Sequence, residues 1–220
     1  SGHKDCSKVQ DPYSFRCAPQ VHGAVYEALI SMRETIQVEL NSTTDNPLVF
    51  PETTENQATI ISQGNFHGEI LALCADRMSL ALFELGSISE RRMDQLLDSK
   101  KSGLPPFLAT NSGLESGMMI VQYSAGSSLS EMHGHAAPRT SFSTSTSAGQ
   151  EDHVSMGATA CWNLYQSSIR LSEVLACELI IACQALEYNS LGPAPFVKSL
   201  YKLVRTISPK LTKDRSTSDE

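Results

Sequence analysis

Between Glu151 and Tyr188 the chain runs without a proline, and within that stretch nearly every residue from Val174 to Ala182 is apolar. The pattern predicts one long helix, apolar on almost every side over its second half. Such a helix has to be covered all round. The chain must therefore fold as a bundle around it, and neighbouring subunits would complete the cover better than one domain of 220 residues. An oligomer is expected on that ground.

Other segments agree with a bundle. Pro19 can open a helix in its first turn, where a missing N–H costs nothing, and Gln20 to Leu40 then continues without proline. Leu71, Cys74, Met78, Ala81, Leu85 and Ile88 step by three and four, which predicts a helix over 67–97. Leu114, Met118, Val121, Ala125, Leu129 and Met132 form a third such stripe, and a short helix is expected at Pro195–Ile207 before a polar tail. The segments NSTTDNPLVFPETTENQ, 99–111 and PRTSFSTSTSAG read as loops, rich in Asn, Ser, Thr, Gly and Pro. No convincing period-two series is present, so the fold class is all-α, a long-helix bundle. Residues 1–190 are read as the bundle with its loops, and 191–220 as a closing helix and tail.

Composition narrows the function. The net charge of −7 gives no cationic footprint for nucleic acid or an anionic membrane. No run of about 18 apolar residues predicts a membrane span, and SGHKDCSKVQ lacks the apolar run of a signal peptide. Aromatics are only 6%, so the core has to be built from Leu, Ile, Val, Met and Ala. Six cysteines without a CxxC pair read as free thiols in a reducing compartment. His3, Cys6, Cys17 and His22 are metal-type residues, but their spacing fits no standard zinc finger. His133 and His135 are two apart and would not share a helix face. No metal ligand is assigned.

Three polar constellations remain. VQDPYSFRC brings Gln10, Tyr13 and Arg16 together, QGNFHGE brings Asn65, Phe66 and His67, and QEDH brings Gln150, Glu151, Asp152 and His153. Each has a bland reading. Tyr13 and Arg16 can form a structural hydrogen-bond clamp. Asn65 and His67 can cap the second long helix, and Glu151 and Asp152 can sit at the start of the last one, where the helix dipole favours acids. Their number favours a site, because a bundle can gather its helix ends. If residues 13–16 are helical, Tyr13 and Arg16 share a face.

VQDPYSFRC with PQVHG, ELNSTTDNPLVF, GNFHGE, ISERR, SGLPPFL, SGMM and QEDHVSMG, in that order, resembles the C-terminal half of the histidine ammonia-lyase branch of the aromatic amino-acid lyase family. The resemblance covers nearly the whole chain, including KDR near its end. It implies a mainly helical homotetramer whose sites draw residues from three subunits. It implies non-oxidative elimination of ammonia from L-histidine to give trans-urocanate, in the cytoplasm. The family's electrophile is a methylidene-imidazolone ring made from an internal Ala-Ser-Gly.

By the same resemblance Tyr13 handles protons near the α and β carbons, and Arg16 grips the substrate carboxylate with its charged fork. Gln10 and Gln150 line the pocket, Phe66 lies close to the substrate, and Glu151 faces the imidazole. A carboxylate can accept from an imidazole N–H, whereas a phenyl ring has no use for it. That difference favours histidine over phenylalanine or tyrosine.

The 220 residues contain no Ala-Ser-Gly; Ser-Ala-Gly stands at 124–126 and 147–149 in the wrong order. The chain is therefore expected to need the N-terminal half of the enzyme, as a portion of a longer protein, and to be inactive by itself. Met132, His133, Ala137 and Gly149 depart from the family pattern. Two other readings stay open: a related lyase or aminomutase for another aromatic amino acid, and a non-catalytic helical assembly subunit.

Overall fold

The computed structural model describes residues 8–189 and 192–217. Its frame is helical: α1 (Tyr13–Arg16), α2 (Ala18–Glu39), α3 (Glu69–Leu97), α4 (Ser99–Ser102), α5 (Met119–His135), α6 (Gly157–Leu186) and α7 (Pro195–Ile207). Pro19 and Pro195 both stand in first turns, as their fixed φ and missing N–H favour. The expected long-helix bundle forms, with one addition. β1 (Leu48–Phe50) pairs antiparallel with β2 (Thr59–Ile61), Leu48 opposite Ile61. Strands of three residues are too short to display a period of two, so this segment reads as loop in the sequence.

The centre of the bundle is the pair α3 and α6, which run parallel. At their starts a Cβ on Gly157 would lie 3.5 Å from Cβ of Ala72. Further along, Glu178 of α6 receives Ser89 Oγ and both Nε and a terminal nitrogen of Arg92, the latter at 2.8 Å. α5 runs antiparallel to both. Ser128 Oγ donates to Glu173 at 2.6 Å, Arg170 pairs with Glu131 at 2.9 Å, and Gln122 donates to Glu90 at 3.3 Å. α2 lies antiparallel along α3, with Arg77 donating to Ser31 Oγ at 3.0 Å. Met93, Met118, Met132, Leu108, Val174 and Ile181 are fully buried between the helices. Flexible methionine fills the irregular gaps that a chain poor in aromatics leaves.

The end of the chain is tied back on this core. Gln184, fully buried, donates to the Leu211 carbonyl at 2.9 Å and accepts from its N–H at 3.1 Å. Asp214 accepts from the N–H groups of Ser116 and Gly117, and these bonds hold its carboxyl below the usual range. Gly117 has φ 58°, and a Cβ there would stand 2.4 Å from the Phe107 carbonyl oxygen. Only glycine fits such a position.

Two boundaries differ from expectation. α5 starts at Met119, not near Leu114, which is exposed in a turn, because Gly117 turns the backbone left-handed just before the helix. α6 starts at Gly157, not at Glu151, because Met156 has φ 56°. The all-round cover of α6 is also incomplete, since Ala176 and Leu179 remain exposed. On α7, Phe196, Leu203 and Ile207 share an outward apolar stripe, Phe196 being 82% exposed.

Glu178→Ala is expected to cost the intact protein about 3 kcal/mol in chemical denaturation, because it strands the Arg92 guanidinium between two helices. A loss no larger than the ~1 kcal/mol of a surface pair would contradict that role for the contact.

Candidate active site

Pro12 starts α1, and its carbonyl accepts from the N–H groups of Phe15 and Arg16 at 3.0 and 2.9 Å. The turn is helical, so Tyr13 and Arg16 do lie on one face. An Arg16 terminal nitrogen donates to Gln10 Oε1 at 2.5 Å. Tyr13 is 70% exposed, and its hydroxyl has no hydrogen-bond partner among the described residues. The clamp reading of Tyr13 with Arg16 is not what forms; Arg16 pairs with Gln10 instead.

Phe66 stands in a 3₁₀ turn, Asn65–His67, and is 56% exposed. Gly68, at φ 73°, is the N-cap of α3, and no side chain caps it. Asn65 and His67 are thus free of the capping role that their place suggested. Gln150 and Glu151 are exposed, on a segment that follows left-handed residues at Ser147, Ala148 and Gly149. Glu151 does not open a helix. Its backbone bridges to Thr146, and its Oε2 accepts from the Thr146 hydroxyl at 2.6 Å. That hydroxyl, and then Ser147, hold the Glu151 carboxyl below its ordinary range, so it stays ionised at neutral and mildly acidic pH.

The turn that carries Phe66 and the segment that carries Glu151 meet through two histidines. His67 Nε2 donates to the His153 carbonyl at 3.1 Å, and the two rings stack with centroids 5.5 Å apart. The parallel starts of α3 and α6 make this meeting possible. Sequence reasoning did not assign these histidines; a His in each of GNFHGE and QEDH was the available signal.

Gln10, Tyr13 and Arg16 are elsewhere. Asp11, Pro12 and Phe15 line a cavity with Gln95, Leu96 and Lys101, and Lys8 Nζ donates to the Lys101 carbonyl at 2.9 Å. That is the C-terminal end of α3, whereas Phe66, Glu151 and the histidines stand at its N-terminal end. A straight helix of 29 residues is roughly 43 Å long at 1.5 Å per residue. The expected site residues therefore form two clusters, one at each end of α3, and one copy of the chain cannot bring them together around a single small molecule. His3 and Cys6 lie outside the described residues, while Cys17 and His22 belong to no ligand cluster among those described. The five described cysteines are free.

The family model for aromatic amino acid lyases matches residues 2–206. The chain is 48% identical to histidine ammonia-lyase from Stigmatella aurantiaca over 216 residues, and 49% identical to that from Deinococcus radiodurans over 208. These alignments cover 97% and 94% of the chain but 41% and 39% of the relatives, so the chain spans about two fifths of their length. Among solved structures, histidine ammonia-lyase from Trypanosoma cruzi superimposes with a TM-score of 0.87 at 40% identity, over 94% of this chain and 40% of that one. Phenylalanine aminomutase from Pantoea agglomerans gives 0.89 at 35% identity, over 96% and 41%. The chain belongs to the aromatic amino-acid lyase family, and what it matches is the family's C-terminal portion.

Proposed function

We propose that this chain is the C-terminal portion of a lyase that eliminates ammonia from L-histidine to give trans-urocanate. The observation that carries the choice of substrate is Glu151, an exposed, ionised carboxylate on the segment pinned to the Phe66 turn. It offers an acceptor to an imidazole N–H beside an aromatic side chain. The match to an aminomutase supports a second reading, a lyase or aminomutase for phenylalanine or tyrosine, for which that carboxylate is useless.

In this reading Arg16 binds the substrate carboxylate through its planar fork, and Gln10 holds the guanidinium in place. Tyr13 moves a proton at the substrate's α or β carbon, its hydroxyl having no hydrogen-bond partner among the described residues. Phe66 and Gln150 pack around the ring, and Glu151 orients it. Methylidene-imidazolone, when bound, supplies the electrophile that makes a weakly acidic β-hydrogen removable. This chain contributes no atoms to that group, having no Ala-Ser-Gly. Its residues fit one presented from outside: the Tyr13 phenol and the Phe66 ring are both largely open to solvent.

The two clusters at opposite ends of α3 support sites completed by other copies, in a homotetramer, and by the N-terminal half. A single chain would then be inactive. Residues 1–190 would supply the bundle and both clusters, and 191–220 the closing helix and tail. A cytoplasmic setting accords with the free thiols.

Urocanate formation from L-histidine by the intact protein, followed by ultraviolet absorbance, tests the reaction. Turnover of phenylalanine but not histidine would select the second reading. Arg16→Lys is expected to raise KM for histidine about tenfold or more, because the bidentate grip is lost. Glu151→Gln is expected to lower kcat/KM for histidine more than any residual rate on phenylalanine, and equal losses would contradict its role.

The ionisation of Glu151 also has a pH signature. A carboxyl held low in the folded state stabilises its loop above the ordinary carboxylate range, and that contribution fades as pH falls through the depressed value. Thr146→Val is expected to move the acid limb of kcat/KM for histidine upward in pH. An unmoved limb would separate Glu151 from the observed titration.

A further inference from the structure

His67, Glu69 and His153 are unexplained by their hydrogen bonds. When His67 Nε2 donates to the His153 carbonyl, the other ring nitrogen of a neutral imidazole is an acceptor. That nitrogen, Nδ1, faces Glu69 Oε2 at 3.7 Å, acceptor against acceptor. Among the described residues Oε2 is itself buried with no hydrogen-bond donor. On the other side, His153 Nδ1 stands 3.4 Å from His67 Nε2. Two imidazoles and a carboxylate converge on one place. A buried carboxylate oxygen without a donor is costly.

We propose that His67, Glu69 and His153 form a binding site for a divalent transition-metal ion of the zinc type. Two histidines and a glutamate are an established donor set for zinc, with a fourth position left for water. Donor atoms of the three side chains all lie within 4.8 Å of one another. Zinc at ~2.0–2.2 Å from each donor needs them about 3.4 Å apart in a tetrahedral arrangement. With Nε2 as the His67 donor, the pair of ring nitrogens at 3.4 Å already meets that spacing; Glu69 Oε2, which faces the other nitrogen of that ring, lies within the 4.8 Å limit and has to close by at most about 1.4 Å. His153 is exposed, so its ring can turn and the ion can enter from solvent. Among the described residues no other group of three His, Cys, Asp or Glu side chains gathers this closely.

The ion would clip the turn that carries Phe66 to the segment that carries Glu151, across 86 residues of sequence. It replaces a single imidazole–carbonyl hydrogen bond by three coordinate bonds. The inference stands on these three side chains and does not require the histidine reading, so either can fail without the other.

The test is titration of the intact, chelator-treated protein with Co²⁺, read by its visible ligand-field absorption, with Zn²⁺ as competitor. The expected result is one Co²⁺ per chain with a four-coordinate spectrum, displaced by Zn²⁺. His67→Ala and His153→Ala are each expected to weaken it by more than the ~10- to 100-fold that loss of a supporting partner costs. Glu69→Gln is expected to weaken it as well while leaving the shape of the side chain. Helix content by circular dichroism accompanies each variant, and His153, being exposed, can be removed without disturbing packing. No Co²⁺ uptake, or uptake that survives His153→Ala unchanged in a folded variant, would overturn the site.

Discussion

The parallel pairing of α3 with α6 is the constraint on which the rest depends. Parallel helices put both N-termini at one end of the bundle, so the loops that precede them must meet there. The two helices start side by side, Gly157 next to Ala72, and the Glu178–Arg92–Ser89 contact fixes the register further along. With that register set, the Phe66 turn and the Glu151 segment have no choice but to be neighbours. The His67–His153 contact follows from it. A shift of one helical turn, ~5.4 Å, would separate the two rings and undo the cluster.

The same helix that joins these two loops holds the third constellation away from them. α1 docks at the far end of α3, and nothing in a straight helix can shorten that distance. If both clusters take part in catalysis, Tyr13 and Arg16 serve a site other than the one to which Phe66 and Glu151 of the same copy contribute. The exposure of Tyr13 and Phe66, and the open apolar stripe on α7, suit surfaces that other chains or segments complete. Long helices thus do two jobs here, building the core and holding the two clusters apart.

Much of the frame was legible in the residues. The prolines marked the starts of α2 and α7, and stripes at three and four residues located α3 and most of α5. What escaped were features set by single backbone angles. Met156 and Gly117 turn left-handed just before α6 and α5, and neither the acids at 151–152 nor the apolar Leu114 betrays it. The acids mimicked a helix start by charge alone. The hairpin at 48–61 was too short for periodicity to register. Of the site, the residue spacing put Tyr13 and Arg16 on one face only if residues 13–16 were helical, and neither that helical turn nor its place at the opposite end of α3 could be read from the sequence. A His in each motif was visible, but that His67 and His153, 86 residues apart, would pair could not be read from local sequence.

We propose above all that the two clusters of one chain work in different sites. The most direct measurement uses two inactive variants of the intact protein, Arg16→Ala and Glu151→Gln, unfolded or dissociated together and reassembled as a mixture. If each site takes Arg16 from one copy and Glu151 from another, mixed assemblies contain some sites with both residues intact. Lyase activity then returns in the mixture but in neither variant alone. If both residues of a site come from one copy, every site in the mixture keeps a lesion. Co-assembly without any recovered activity would contradict a division of each site between copies.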